Sequence, residues 1–158
     1  RRGDGEGSQM PNETWVYADA VCDLFHIGHV EFFRKARALG DRLVVGILSD
    51  EDAASYKPAP IMSFTERRDV VRACRHVDRV LEIPAPLLPD VAFLDSIGAA
   101  FLCHGDDMGA AELAKFYRDL MEHGRLRTVG YTAHIASRQI VERIGKRFQD
   151  GTLRRAEP

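Results

Sequence analysis

The sequence has no long hydrophobic run. Nothing in it approaches the roughly 20 apolar residues needed to cross a bilayer, so no membrane partner is expected. Its first residues lack the apolar core of a signal peptide, which makes a cytoplasmic protein the expectation. An excess of one charge is missing too. Lys and Arg number 22 against 24 Asp and Glu, a net charge of −2, so there is no basic footprint for nucleic acid. Cysteine is scarce: Cys22, Cys74 and Cys103 are an odd number without metal-type spacing. All three read as reduced, with Cys74 and Cys103 as core residues, and a nucleophilic role for Cys22 would need an adjacent base. No internal repeat or low-complexity tract is present.

What is there is ordinary in amount and informative in order. A chain of 158 residues, 45% hydrophobic and 29% charged, is one soluble-type domain with a real core. Residues 1–13 are polar and Gly-rich without periodicity and read as a flexible tail, in part an expression remnant ending before Met10. Residues 14–148 form the domain, and 149–158 read as a linker toward a further domain of a longer protein.

The strongest local signal is Asp23-Leu24-Phe25-His26-Ile27-Gly28-His29. It follows the apolar run Trp15-Val16-Tyr17-Ala18 and precedes the amphipathic run Val30 to Ala36, which places it at a strand-to-helix turn. Two histidines three residues apart share a face there. A helix N-terminus offers unpaired N–H groups and positive dipole charge, which suit phosphate. Gly28 allows close approach because it has no Cβ. His26 and His29 can then donate to charge building on a reacting phosphate.

Strand and helix patterns alternate along the rest. Candidate strands are 15–20, 42–48, 79–83, 100–104 and 126–130; candidate helices are 29–39, 65–75, 90–97, 110–123 and 137–147. Gly40 stands at a C′ position, and Ser63 with Glu66 has capping-box spacing. Such alternation predicts an α/β domain with a parallel sheet of about five strands flanked by helices. Its ligand belongs beyond the carboxyl ends of the strands. Lys57 lies in a loop at that end, where its ammonium suits phosphate oxygens; the plain alternative is a solvated loop lysine. Arg67 and Arg75, eight apart, share a helix face, while Arg68 and Arg72 fall on a solvated one. His104-Gly105-Asp106-Asp107 ends an apolar strand and is a candidate base or ribose pocket.

In order and spacing these residues resemble the CTP-dependent cytidylyltransferases that activate phosphoethanolamine, phosphocholine or glycerol 3-phosphate. The resemblance runs from Trp15 to Ile144 through Asp23–His29, Gly40-Asp41, Ser49-Asp50-Glu51, Lys57, Glu66-Arg67, Arg75-His76-Val77-Asp78 and His104–Asp107. It implies a Rossmann-like nucleotidyltransferase fold and an in-line attack of an acceptor oxygen on the α-phosphorus of CTP, with pyrophosphate leaving. It implies His26, His29, Lys57 and Arg75 as catalytic groups. Asp23, Gly28, Gly105, Asp106, Asp107, Thr132, Ile135 and Ser137 would hold the nucleotide, and Mg²⁺ would ride mainly on its phosphates. A homodimer is a further implication.

The family's last signature, close to Arg-Thr-Glu-Gly-Ile-Ser-Thr-Ser, corresponds here to Tyr131-Thr132-Ala133-His134-Ile135-Ala136-Ser137-Arg138. Thr132, Ile135 and Ser137 match, and a helix-start phosphate site with Ser137 at its cap is the expectation. The departures point to an altered acceptor pocket made by Lys57, Arg75, Tyr131 and His134. In this respect the chain is similar to the cytidylyltransferase domains of bifunctional fosfomycin-biosynthesis enzymes, which implies 2-hydroxyethylphosphonate as acceptor and fusion to a second catalytic domain. The alternatives are one of the family's three phosphate acceptors, an adenylyltransferase, or a non-catalytic nucleotide-binding module.

Overall fold

The computed structural model describes residues 13–130, 132 and 135–153. Five strands form one parallel sheet: β1 (Trp15–Ala20), β2 (Arg42–Ile47), β3 (Arg79–Val80), β4 (Phe101–Gly105) and β5 (Leu126–Val129). Their spatial order is β3-β2-β1-β4-β5. β1 pairs with β2 over its whole length, Trp15 opposite Arg42 through Ala20 opposite Ile47. It meets β4 only at Val16 and Tyr17. The five-stranded parallel sheet expected from the alternation, and the Rossmann-like arrangement implied by the resemblance, are therefore present, with β1 at the centre.

Period-two alternation divides the core into two faces. Val16 and Ala18 point with Leu43, Val45 and Ile47 toward Phe33 and Ala36 of α1 (Ile27–Arg37) and Val71 of α3 (Phe64–Arg72). Tyr17 and Val44 point the other way, onto Leu94 of α4 (Val91–Ile97), Leu113 of α5 (Ala110–Phe116) and Leu120 of α6 (Arg118–Glu122). Each fully buried aliphatic side chain contributes about 1.5–3 kcal/mol of apolar transfer, so the two layers fix the sheet between them. The amphipathic α7 (Ser137–Gln149) buries no residue completely. Among the described residues no helix is long and apolar enough to cross a membrane.

Several boundaries differ from the sequence reading, each for a local reason. The first helix starts at Ile27 because His26 itself caps it, and it ends at Arg37. Gly40 is not left-handed; a Cβ there would stand 2.7 Å from the Thr14 carbonyl oxygen and 2.8 Å from Val16 Cγ2, so the requirement is close approach to β1. The left-handed helix end is instead Gly98, with φ of 71° after α4. A short α2 (Asp50–Ala54), capped by the Ser49 hydroxyl, was absent from the expected elements. The segment expected as one helix over 110–123 breaks at Tyr117 into α5 and α6. α3 stops at Arg72, so Arg75 lies in the turn beyond it and does not share a helix face with Arg67.

Candidate active site at the carboxyl ends of β1 and β4

The strand order reverses at β1, with β2 on one side and β4 on the other. In such a sheet a ligand crevice belongs beyond the carboxyl ends of the strands that flank the reversal. The chain leaves β1 through a tight turn in which two non-glycine residues, Cys22 (φ 56°) and Leu24 (φ 46°), are left-handed. Such conformations are uncommon for side-chain-bearing residues and collect at functional sites. Between them sits Asp23. Its Oδ2 accepts from the Ile61 N–H and its Oδ1 from the Met62 N–H, both at 2.9 Å.

The two histidines cap their own helix. His26 Nδ1 accepts from the Gly28 N–H at 3.0 Å, and His29 Nδ1 accepts from the His26 N–H at 3.1 Å. Serving as acceptors, both Nδ1 atoms are unprotonated, so each neutral ring carries its proton on Nε2. Burial lowers the pKa of His26. His29 falls from 6.5 to about 3, first through burial, then through the charges of His26 and Lys57, with Asp23 opposing. Both rings are therefore neutral N–H donors at pH 7. They lie 4.0 Å apart, and His29 stacks on Phe25 at 5.4 Å. Gly28 is required between them: a Cβ would fall 2.8 Å from His26 Cε1 and 3.2 Å from Ile135 Cγ2.

Ile135 thus roofs the motif, and α7 begins beside it. Ser137 is not the cap; Ala136 holds that position, and Gln139 Oε1 accepts from the Ala136 N–H at 3.1 Å. The Ser137 hydroxyl turns inward instead, donating to the Asp23 carbonyl at 2.7 Å and standing 3.4 Å from His26 Nε2. Thr132 is half-buried on the approach to this helix. Tyr131 and His134 lie outside the described residues. Lys35, not singled out from the sequence, donates to the Gly130 carbonyl at 2.7 Å and ties the end of β5 to α1.

Lys57 stands at the mouth of the crevice, its ammonium 5.3 Å from the centroid of the Tyr56 ring. No hydrogen bond holds that ammonium among the described residues. The surrounding protein lowers its pKa, with Arg67 adding to the effect and Cys22, Asp23 and Asp107 opposing it. Lys57 is thereby brought into one electrostatic group with His29, Asp23 and Asp107. At the end of β4, the Asp106 N–H donates to the Val129 carbonyl at 3.0 Å. A Cβ on Gly105 would meet Asp107 Oδ1 at 2.9 Å, so Gly105 lets that carboxylate fold over the strand end.

Arg75 is not brought into this group. It is exposed and lines a surface depression with Phe25, Val30, Val70, Cys74 and His76. Arg67, by contrast, is fully buried. Its guanidinium donates to the carbonyls of Val21, Leu48 and Met62 at 2.6, 3.0 and 3.1 Å, and pairs with Asp50. It braces the loops around the crevice.

One further acidic residue stands outside the sequence motifs. Asp19, on β1, shares the sheet face of Tyr17, and its Oδ2 is buried with no hydrogen-bond partner among the described residues; the same holds for the Tyr17 hydroxyl. Burial raises the Asp19 pKa, against the opposing influence of His104 and the nearby Tyr17 hydroxyl. Its charge is also felt by Tyr56 and Tyr117. An acid inside an apolar strand, two residues beyond a buried tyrosine, was the signal available in the sequence.

The family model described as Cytidylyltransferase-like matches residues 17–143. The chain belongs to that family. The ethanolamine-phosphate cytidylyltransferase of Dictyostelium discoideum is 38% identical over 130 residues, covering 82% of this chain and 36% of that protein. The choline-phosphate cytidylyltransferase A of Homo sapiens is 35% identical over 142 residues, covering 87% of this chain and 38% of that protein. The chain thus spans somewhat over a third of the length of these curated relatives. The solved structure of a lipopolysaccharide core biosynthesis protein from Thermoplasma volcanium superposes with a TM-score of 0.62 at 23% identity. The match covers 78% of this chain and 100% of that one, a likeness of fold.

Proposed function

We propose that this cytidylyltransferase-like domain transfers CMP from CTP to a small phosphomonoester with an ammonium headgroup, phosphoethanolamine being the best fit. An acceptor phosphate oxygen attacks the α-phosphorus and the bond to pyrophosphate breaks. The acceptor is already anionic, so no protein base is needed, and catalysis rests on positioning and charge stabilisation. The observation that carries this reading is the two-histidine cap. It spends both Nδ1 atoms on the backbone and leaves two Nε2–H donors at a helix N-terminus. Lys57 supplies positive charge between donor and acceptor phosphates, and Ser137 adds a hydroxyl at the triphosphate side. Gly105, Asp106 and Asp107 would hold the cytidine. Mg²⁺ would be carried mainly by the phosphates. Both oxygens of Asp23 already accept backbone N–H groups, and among the described residues no three His, Cys, Asp or Glu side chains converge.

Asp19 supports this choice of acceptor. Among the described residues Asp19 Oδ2 has no hydrogen-bond partner, and a carboxylate beside the site would favour a ligand with N–H donors and positive charge. A primary ammonium supplies both. A quaternary ammonium has no N–H and calls for open aromatic faces, but Tyr17 packs edge-on with Phe93 at 5.2 Å and Tyr117 lies against His104 at 5.5 Å. 2-Hydroxyethylphosphonate, the acceptor implied by the fosfomycin resemblance, offers a neutral hydroxyl to Asp19 and fits less well. An acceptor panel with CTP, following pyrophosphate, tests the reading: phosphoethanolamine, phosphocholine, glycerol 3-phosphate and 2-hydroxyethylphosphonate. Preference for phosphoethanolamine, lost on Asp19→Asn, is expected. Preference for the phosphonate or glycerol 3-phosphate would overturn the acceptor and keep the reaction. CTP bound without pyrophosphate release across the panel would leave only a nucleotide-binding module.

A further inference from the structure

We infer that Asp23 is a positioning residue that couples the Lys57 loop to the start of α7, working through its hydrogen bonds without touching substrate or metal. The inference rests on the proposed reaction for its kinetic consequence and on geometry alone for its structural one. Residues 55–63, between α2 and α3, contain no regular secondary structure, and Lys57 has no hydrogen bond to hold it among the described residues. What fixes the loop is the pair of backbone N–H groups at Ile61 and Met62, both donated to the Asp23 carboxylate. Between these anchors and Lys57 lie Pro58, Ala59 and Pro60. Two prolines with fixed φ leave that connector few conformations. Holding the amides therefore restricts where the ammonium can go.

The same residue faces the other way through its backbone. The Asp23 carbonyl accepts from Ser137 Oγ at the first turn of α7, 114 residues on, and that oxygen neighbours His26 Nε2. Asp23 is itself held by left-handed neighbours on both sides, Cys22 and Leu24. One residue thus touches the lysine loop, the histidine turn and the distal helix start. Arg67 also grips Met62, through its carbonyl, but from full burial and with three other partners. Arg67 variants should lower stability, whereas Asp23 variants should lower rate.

The test uses Asp23→Asn, which keeps the shape and removes one acceptor. Hydrogen exchange at the Ile61 and Met62 amides should accelerate by about tenfold or more relative to the rest of the chain, since a released loop opens locally. This readout needs no activity, so it decides the clamp even if the proposed reaction fails for every acceptor. In pyrophosphate release, Asp23→Asn should lower kcat/KM for the acceptor by about 10²-fold, the scale of misplacing a catalytic group by an ångström. In a Lys57→Ala background the same change should cost less than about threefold, because its effect passes through the lysine. Equal losses in both backgrounds, unchanged exchange at the two amides, or a raised Mg²⁺ requirement in Asp23→Asn would each overturn the inference.

Discussion

Two helix starts meet at this site, and they are built on opposite principles. α1 is capped entirely by its own sequence: His26 and His29 bond reciprocally to backbone N–H groups within four residues. α7 uses Gln139 for its cap and sends its first hydroxyl across the crevice to Asp23. The first arrangement fixes ring tautomers locally, so the chemistry of the histidines survives changes elsewhere. The second depends on a residue 114 positions away and can vary with the acceptor. In the proposed reaction the self-contained start would serve the bond that breaks, and the borrowed one what is fitted around it.

Four substitutions or conditions would break or sharpen that contrast. The largest effect is expected from His29→Ala, which removes an Nε2–H donor and the bond to the His26 N–H together. Turnover should fall by about 10²–10³-fold, the range for losing one charge-stabilising donor. Wild-type turnover in a folded His29→Ala protein would remove the assigned role. Gly28→Ala comes next. Its Cβ would press on the His26 ring and Ile135, and tilting one ring should cost about 10²-fold in turnover with little change in melting temperature. Ser137→Ala removes one neutral hydroxyl, so CTP use should weaken by about fivefold, the scale of about 1 kcal/mol for a single neutral hydrogen bond. A loss as large as that of His29→Ala would erase the distinction between the two helix starts.

The smallest effect is a pH dependence of stability. His29 has a folded pKa of about 3 against an ordinary 6.5. Between those values the unfolded chain binds a proton that the folded chain does not, so stability rises with pH across the window. The contribution is complete above about 6.5 and is lost as pH falls toward 3. Urea midpoints from pH 4 to 7 should therefore climb in the wild type and climb less in His29→Gln. Parallel slopes would show that His29 is not buried as a neutral ring.

Most of this architecture was legible because it is local. The strand Trp15–Ala20 was bounded correctly by its apolar run, and the Ser63–Glu66 capping box starts α3 as expected. The histidine turn announced a helix N-terminus, although it was not evident that the histidines themselves would be the cap. What stayed hidden depends on distant partners or on a small shift in register. Arg67 and Arg75 looked equivalent until α3 ended three residues short of Arg75, leaving one arginine buried and the other on the surface. Asp23 was expected among the nucleotide-holding residues, with a turn-stabilising aspartate as the plain alternative, and its oxygens accept from amides 38 and 39 residues away, partners that no local spacing shows. Asp19 was concealed by its strand: alternation assigns it to the Tyr17 face, but only tertiary packing shows that its Oδ2 is buried with no hydrogen-bond partner among the described residues. Such long-range polar pairings leave no periodic trace in a sequence.

The most direct test is of the histidine rings themselves, by ¹⁵N–¹H correlation of the imidazole nitrogens at pH 7 before and after adding CTP with Mg²⁺. Both His26 and His29 should show the neutral tautomer protonated at Nε2, and CTP should move the Nε2 signals while the Nδ1 signals stay near their unprotonated positions. An imidazolium or an Nδ1-protonated ring at either position, or Nε2 signals unmoved by saturating CTP, would contradict the account.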